Sequence, residues 1–167
     1  MLTGATTVAL GTIALGGIRV DAWQWPYPAR VRTLDAFLRR EGLTHGLADF
    51  WNANLLNRLS HAGVRLNQIR SDGRVQFWNN NAFQFYDVDA SDGRLRAPLC
   101  RFILTESLDP AALEAKFGAP ARREHVADYS VWIYDDAGAA RMSAIVDGEV
   151  RDFLGGRPGA ERLPATP

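Results

Sequence analysis

Apolar residues recur at helical spacing in the first strongly polar part of the chain. Leu34, Phe37 and Leu38 lie on one face of a helix if residues 30–41 are helical. Gly42 follows directly and suits the left-handed turn that ends many helices. The pattern therefore predicts a first helix over residues 30–41 that stops at Gly42.

The next segment predicts a short strand followed by a second helix. Residues 43–48 form a compact apolar run. Asp49 comes next, and its side chain is suited to accept hydrogen bonds from the free N–H groups of a first helical turn. We expect Gly63 to end this helix, with an apolar face formed by Leu55, Leu56 and Leu59.

Turn residues divide the middle of the chain into strands. Residues 64–69 alternate in part between apolar and polar side chains, which indicates a strand. The Ser-Asp-Gly-Arg sequence at 71–74 predicts a tight turn, and residues 75–86 form an aromatic strand interrupted at 79–81. A second Ser-Asp-Gly-Arg sequence at 91–94 favours a meander of strands.

The second half of the chain continues with strand, helix and strand. Residues 99–105 are apolar and strand-like. Asp109 followed by proline is the favoured order at the start of a helix, and Gly118 is placed to end that helix. Residues 129–134, YSVWIY, predict a further strand.

Two interpretations remain open for residues 138–154. Helical spacing of five apolar side chains favours a helix, whereas Asp147 followed by Gly148 is typical of a hairpin turn. The five side chains are Met142, Ile145, Val146, Val150 and Phe153.

Strands mixed with helices, some joined as hairpins, predict a mixed α/β sandwich. We expect a sheet of about five strands with helices packed on it, within one globular domain over residues 31–155. Residues 156–167 are rich in glycine and proline and are expected to be a disordered tail.

The opening of the chain has a different character. Residues 2–18 contain no charged side chain, a length slightly below the roughly 20 residues needed to cross a bilayer. Aromatic residues, as found where membrane helices meet water, follow at Trp23, Trp25 and Tyr27. We therefore expect residues 1–20 to be the end of a membrane helix, with lipid as the partner of residues 2–18, and residues 21–30 to be a linker. No positive n-region precedes the run, which argues against a signal peptide.

Composition narrows the functions that remain. The formal net charge is zero, so nucleic acid is not an expected partner. Cys100 is the only cysteine, which excludes an intrachain disulfide and zinc sites built from several cysteines. Cys100 lies in a strand-like run and is expected to be a small buried core residue.

Most catalytic and metal-binding patterns are absent from the sequence. The three histidines lack the spacing of a zinc helix, and no Walker loop or Gly-x-Ser-x-Gly sequence occurs. Residues 87–93 begin like a calcium loop, but Pro98 stands where a bidentate glutamate is required. We therefore predict no catalytic residue, no metal and no cofactor.

Aromatic and amide side chains are concentrated in two stretches, residues 49–54 and 76–86. Aromatic faces cover the apolar C–H faces of sugars, and amides pair with the surrounding hydroxyl groups. A glycan-binding surface is therefore predicted from Asp49, Trp51, Asn52, Trp78, Asn79 and Asn80. The competing interpretation is structural: Asp49 caps a helix, Trp51 packs on the sheet, and residues 79–81 form a bulge or turn.

The segment Gly46-Leu-Ala48-Asp-Phe50-Trp51 resembles a Gly-x-Ala-x-Tyr-Trp segment of bacterial multi-spanning membrane proteins. These are similar to the GT-C class, the lipid-linked sugar transferases of the dolichyl-phosphate-mannose type. The preceding helix TLDAFLRREGL and the later strands RFILTE and YSVWIYD are also similar, so the resemblance covers residues 15–136. Phe50 stands where tyrosine is usual, which removes a phenol hydroxyl from any contact.

The resemblance implies a water-soluble domain that follows the last membrane helix of a bacterial inner-membrane protein, on its periplasmic or extracellular side. It implies a non-catalytic role in positioning a glycan or lipid-linked sugar, because the acidic residues of that class belong to a membrane region this sequence lacks. Two alternatives remain open. One is an independent soluble hydrolase or small-molecule enzyme with Asp49 as general base, and the other is a purely structural domain in which Trp51 and Trp78 are buried.

Overall fold

A computed structural model describes residues 27–77, 85–88, 91–93 and 95–155. The described elements follow one another as helices α1–α4 and strands β1–β7. In chain order they are α1 (Ala29–Glu41), β1 (His45–Ala48), α2 (Phe50–Leu59), β2 (Arg65–Gln68), β3 (Asp87–Val88), β4 (Leu95–Arg96), β5 (Phe102–Leu104), α3 (Pro110–Phe117), β6 (Arg122–Val126), β7 (Tyr129–Ile133) and α4 (Asp136–Gly155).

Five of the strands form one mixed sheet in the order β2-β1-β5-β7-β6. Strands β2, β1 and β5 are parallel, whereas β7 runs antiparallel to both β5 and β6. Strands β3 and β4 form a separate antiparallel hairpin around the second Ser-Asp-Gly-Arg turn. The predicted α/β fold with a mixed sheet of five strands is confirmed.

The sheet separates two hydrophobic clusters and so forms the middle of three layers. Phe102 and Leu104 of β5 pack with α1 and α2, while Ile103 between them packs with α3 and α4. This alternation follows from the two-residue period of a strand, which sends successive side chains to opposite faces. Burial on both faces also explains why β5 reads as a continuous apolar run.

Local geometry confirms the predicted end of α1 at Gly42 and the predicted start of α3 at Asp109, whereas α2 ends at Leu59, with Ser60 as its C-cap, and not at Gly63. Gly42 has a φ of 67° and its N–H donates to the carbonyl oxygen of Arg39, as a left-handed C-cap requires. The carboxylate of Asp109 accepts from the N–H groups of Ala111 and Ala112 at the start of α3.

The hairpin alternative at Asp147-Gly148 is wrong, because α4 runs without interruption from Asp136 to Gly155. Met142, Val146 and Val150 are buried along one face of this helix. The Asp147 carboxylate accepts hydrogen bonds from the Tyr86 hydroxyl and from Arg151 one turn later, both at 2.8 Å. Packing and these hydrogen bonds outweigh the local preference of Asp-Gly for a turn.

Strand β6 was not predicted. Its sequence is RREHV and its side chains are exposed or half-buried at the edge of the sheet, so no apolar alternation marks it. The turn that joins it to β7 contains Ala127 at a φ of 52°, where glycine or asparagine would give a recognisable signal.

Several predictions concern residues outside the described ranges. They are the membrane helix at residues 1–20, most of the linker at 21–30, the tail at 156–167 and the centre of the strand at 75–86. Of the described residues of that predicted strand, Val75 forms a single bridge with Ile69 across the predicted turn at 71–74, and the others, 76–77 and 85–86, lie in no strand. Among the helices of the described residues, none is both long and apolar enough to cross a membrane.

Candidate functional site

The carboxyl ends of β1, β2 and β5 lie along the same side of the sheet because these strands are parallel. We call this side the carboxyl edge; it is formed by strand ends and is distinct from the edge strands β2 and β6. From β1 the chain turns into α2, which packs on one face, and from β5 it turns into α3, which packs on the other. Adjacent parallel strands whose connections leave on opposite faces form the crevice in which open α/β sheets hold ligands. We therefore take this edge as the candidate site.

Asp49 stands at this edge, directly after β1, and is the N-cap of α2. Its Oδ1 accepts from the backbone N–H groups of Trp51 at 2.9 Å and Asn52 at 3.3 Å. Its Oδ2 accepts from the amide Nδ2 of Asn52 at 2.6 Å. The carboxylate is buried and both of its oxygens serve the start of the helix.

Trp51 occupies the first turn of α2 and is 77% exposed. Its described ring contact is an edge-on arrangement with Phe50 at a centroid distance of 5.1 Å. The interpretation that Trp51 packs on the sheet is therefore wrong, and so is the burial of Trp51 expected for a purely structural domain. An exposed indole is a contact surface of large area.

An open groove of about 600 Å³ runs along the outer face of α2. Its described lining comprises Trp51, Asn54, Leu55, Arg58 and Leu59. These positions are spaced by three and four residues, so they share one helix face. The predicted apolar face of this helix is thus divided: Leu56 is buried against the sheet, while Leu55 and Leu59 are half-buried on the groove side.

The second predicted stretch is described only at its ends, and Trp78, Asn79 and Asn80 lie outside the described residues. Phe77, the last residue described before them, stacks on Phe153 of α4 at a centroid distance of 3.8 Å. It packs with the α3 and α4 cluster, whereas α2 lies on the other face of the sheet. Phe77 therefore lies on the face of the sheet opposite α2.

Glu106 is a polar residue of this edge that the sequence analysis missed. It lies two positions after β5, and its Oε1 accepts from the backbone N–H of Ser130. The residue as a whole is exposed, but burial of the carboxyl group raises its pKa, and the negative charge of Asp49 raises that pKa further. Its position just beyond the carboxyl end of a central strand was the signal available in the sequence.

Two buried side-chain atoms at the same edge have no hydrogen-bond partner among the described residues. They are Oε1 of Gln68, the last residue of β2, and the hydroxyl of Tyr129, the first residue of β7. Leaving such atoms unpaired in an interior costs about 1–3 kcal/mol each. Together with Asp49 and Glu106, they give this edge of the sheet four polar side chains.

Within the described residues, the groups that hydrogen-bond to Asp49 all come from the first turn of α2. The donors to Asp49 are backbone and amide N–H groups, and no second titratable group hydrogen-bonds to it. Within the described ranges, no group of three or more His, Cys, Asp and Glu side chains is placed to hold a metal ion. No family model, no curated protein and no solved structure matches the chain.

Proposed function

We propose that this chain is a non-catalytic, extracytoplasmic domain of a membrane protein resembling the GT-C class, and that it positions a glycan or lipid-linked sugar. The observation that carries the proposal is the exposure of Trp51 at the start of α2, at the carboxyl edge of the sheet. The proposal extends the resemblance seen in the segment that contains Trp51.

An indole held in water is unfavourable for the domain alone. Burying a large apolar side chain contributes about 1.5–3 kcal/mol, and Trp132 on β7 is buried in this way with 4% exposure. The exposed indole of Trp51 does not contribute this free energy to folding. A ligand that covers the ring would gain it on binding, which is the usual reason for exposed tryptophan at binding surfaces.

The polar side chains beside Trp51 suit a sugar that carries a phosphate. Asn54 and Arg58 line the same groove as the indole. An amide pairs with the adjacent hydroxyl groups of a sugar, and a guanidinium binds a phosphate through two parallel hydrogen bonds. A lipid-linked sugar presents an apolar sugar face, hydroxyl groups and phosphate within one molecule.

The state of Asp49 supports a role without bond cleavage. A general base must reach the proton it removes, but both oxygens of Asp49 are engaged with the first turn of α2. Its burial and its neutral amide donors fit a helix cap. The binding function would therefore rest on Trp51 and the groove, with Asp49 and Asn52 holding the helix start that presents the indole.

The proposal is tested by NMR titration of the isotope-labelled chain with neutral oligosaccharides and with a polyprenyl-phosphate-linked hexose in detergent. We expect saturable shifts of the Trp51 indole N–H and of the backbone amides of α2, and Trp51→Ala should abolish the shifts of those amides. Val88→Ala is the matched control, because Val88 is also a highly exposed apolar side chain but lies on β3. Unchanged Trp51 signals at millimolar ligand would contradict the proposal.

One observation supports the alternative that the chain is an enzyme with Asp49 as general base. Glu106 has a raised pKa and lies within electrostatic reach of Asp49, and perturbed carboxyl groups cluster at active sites. This alternative predicts turnover of a small substrate that Asp49→Asn abolishes. The binding proposal predicts instead that Asp49→Asn leaves sugar binding within about twofold, because asparagine caps helices as well as aspartate.

A further inference from the structure

Three large side chains form a continuous stripe on the outer face of α2. Trp51, Leu55 and Leu59 are spaced by four residues, so they succeed one another along one side of the helix. On the opposite side, Ala53 and Leu56 are fully buried against the sheet. Helix α2 thus has an inner apolar face covered by the core and an outer apolar face that is only partly covered, where Leu59 packs against the edge of the core cluster.

The charge that α2 itself carries is of one sign. Helix α2 contains no acidic residue, and its single charged residue, Arg58, lies in the groove beside Leu55 and Leu59. The nearest carboxylate in sequence, Asp49, is buried in the cap. The outer face therefore combines apolar side chains with a cationic group, as surfaces that rest on anionic lipid do.

The chain enters the domain next to the Leu59 end of this stripe. Tyr27 stacks on His61, two positions beyond Leu59, with a centroid distance of 4.3 Å. The Tyr27 hydroxyl also donates to the fully buried Asp35, whose carboxylate accepts from Ser60 Oγ at 2.6 Å. These contacts hold the start of the domain against the end of α2.

This entry point sets how far α2 can lie from the uncharged run at residues 2–18. Residues 19–26 separate the two and span at most about 28 Å when fully extended. Helix α2 is about 15 Å long. A membrane that holds residues 2–18 is therefore within reach of the whole stripe.

We propose that the outer face of α2 rests on the lipid surface, with Trp51, Leu55 and Leu59 at the level of the lipid headgroups and Arg58 paired with lipid phosphate. This inference rests on the proposed function and deepens it. If α2 lies on the membrane, the ligand that reaches Trp51 is a lipid-linked sugar and not a free glycan. Tryptophan favours the interface between bilayer and water, and arginine extends to phosphate there. A weak contact of this kind is sufficient because the tether keeps the face at high effective concentration beside the membrane.

The test places an environment-sensitive fluorophore on the stripe in the full chain. Leu55→Cys, and separately Asn54→Cys, is labelled with a nitrobenzoxadiazole maleimide; Cys100 is buried and does not compete for the label. Ala140→Cys is the matched control, because Ala140 is exposed on α4 on the other side of the sheet. Vesicles contain equal parts phosphatidylcholine and phosphatidylglycerol, with and without nitroxide-labelled lipid, and no sugar.

We expect vesicles to raise the emission of the stripe labels several-fold and nitroxide lipid to quench it, with little change at position 140. Arg58→Gln should reduce the fraction of the stripe label that is quenched. If the chain binds the vesicles while the stripe labels stay in water, the proposal is overturned.

Two other occupants of the stripe give distinct results that also overturn the proposal. If residues 2–18 cover the stripe, the labels are shielded from iodide before vesicles are added. If a second copy covers it, the shielding depends on protein concentration. Because these vesicles carry no sugar, failure here leaves the oligosaccharide titration of Trp51 as an independent test of the proposed function.

Discussion

The side chain of Asn57 forms two hydrogen bonds with the backbone of Leu66. Its Nδ2 donates to the carbonyl oxygen of Leu66, and its Oδ1 accepts from the N–H of Leu66, each at 2.8 Å. Leu66 lies in β2, an edge strand of the five-stranded sheet. A side-chain amide thus takes the place of the next strand, and it also ties α2 to the sheet that α2 covers.

Asn57→Ala should destabilise the domain by about 1–3 kcal/mol, because the two backbone groups of Leu66 lose their protein partner. Asn57→Asp retains the acceptor but not the donor and should lie between alanine and the native residue. Urea unfolding measures the loss, and faster hydrogen exchange of the Leu66 amide locates it.

Asn54→Ala is the control for Asn57→Ala on the same helix. The Asn54 amide donates within its own helix, to the Phe50 carbonyl one turn earlier, at 2.8 Å. We expect it to change the free energy of unfolding by less than about 0.5 kcal/mol. Equal effects of the two substitutions would mean that the contact with Leu66 contributes nothing specific.

Gly46→Ala should destabilise the core. A Cβ at Gly46 would lie 2.7 Å from the ring of Phe102, its fully buried neighbour in register on β5. Overpacking of this kind costs about 1–3 kcal/mol.

Gly148→Ala gives the opposite expectation, a gain in stability of about 0.5–1 kcal/mol, since Gly148 lies within α4 with nothing within 4 Å of its Cβ position. Thermal or urea unfolding of both variants checks the sign as well as the size.

Asp49→Ala should cost about 0.5–2 kcal/mol through loss of the α2 cap, whereas Asp49→Ser and Asp49→Asn should be close to neutral. Asp109 caps α3 in the same way but is exposed. Asp109→Ala is therefore expected to lower the free energy of unfolding by an amount in the lower part of that range. The measurement is the urea midpoint at constant slope. A large loss with Asp49→Asn would show that the charge, and not the cap, matters at this position.

The imidazole of His45 should titrate below its ordinary pKa of 6.5, because burial lowers the pKa although Asp87 at 3.3 Å raises it and Arg65 lowers it. The neutral form is thus favoured by folding. The free energy of unfolding that the neutral imidazole of His45 contributes is complete above pH 6.5. It is lost as the pH falls through the pKa of His45 in the folded domain.

Urea unfolding at pH values on either side of 6.5 tests this dependence, and His45→Gln should remove it. Asp87→Asn should lower the pKa of His45 further, since a favourable charge is lost. An NMR titration that places the pKa of His45 above 6.5 would contradict the assignment.

Cys100 should react with thiol reagents only when the domain unfolds. Burial raises the pKa of its thiol to about 12, and its backbone N–H donates to Ser143 Oγ of α4 at 2.8 Å. Reaction with a chromogenic disulfide near neutral pH should therefore follow the unfolding rate, and denaturant should accelerate it. Fast reaction of the native chain would show that the segment just before β5 separates locally from α4.

The local features of the fold were predictable because their causes are local. Asp49 and Gly42 act on backbone groups within a few residues, so they mark helix ends in the sequence itself. The apolar run around Ile103 needs no partner to be recognised as a strand. The burial of Cys100 followed from the same run, and the structure confirms it.

Features that depend on distant parts of the chain were not predictable in the same way. Residues 122–126 became a strand because β7 pairs with them, although their own side chains give no extended pattern. Asp147-Gly148 stayed helical because Tyr86 and the core hold that part of α4. Glu106 came to the candidate site through the order of the strands, and Trp51 remained in water because the other face of α2 met the sheet.

The amino-acid sequence alone determined the end of α1, the start of α2 and both ends of α3, since capping and turn formation act over a few residues. The tertiary structure decided the order of the strands, the helices on each face and the exposure of Trp51. Those outcomes depend on which apolar surfaces bury one another, and residues far apart in the chain compete for that burial.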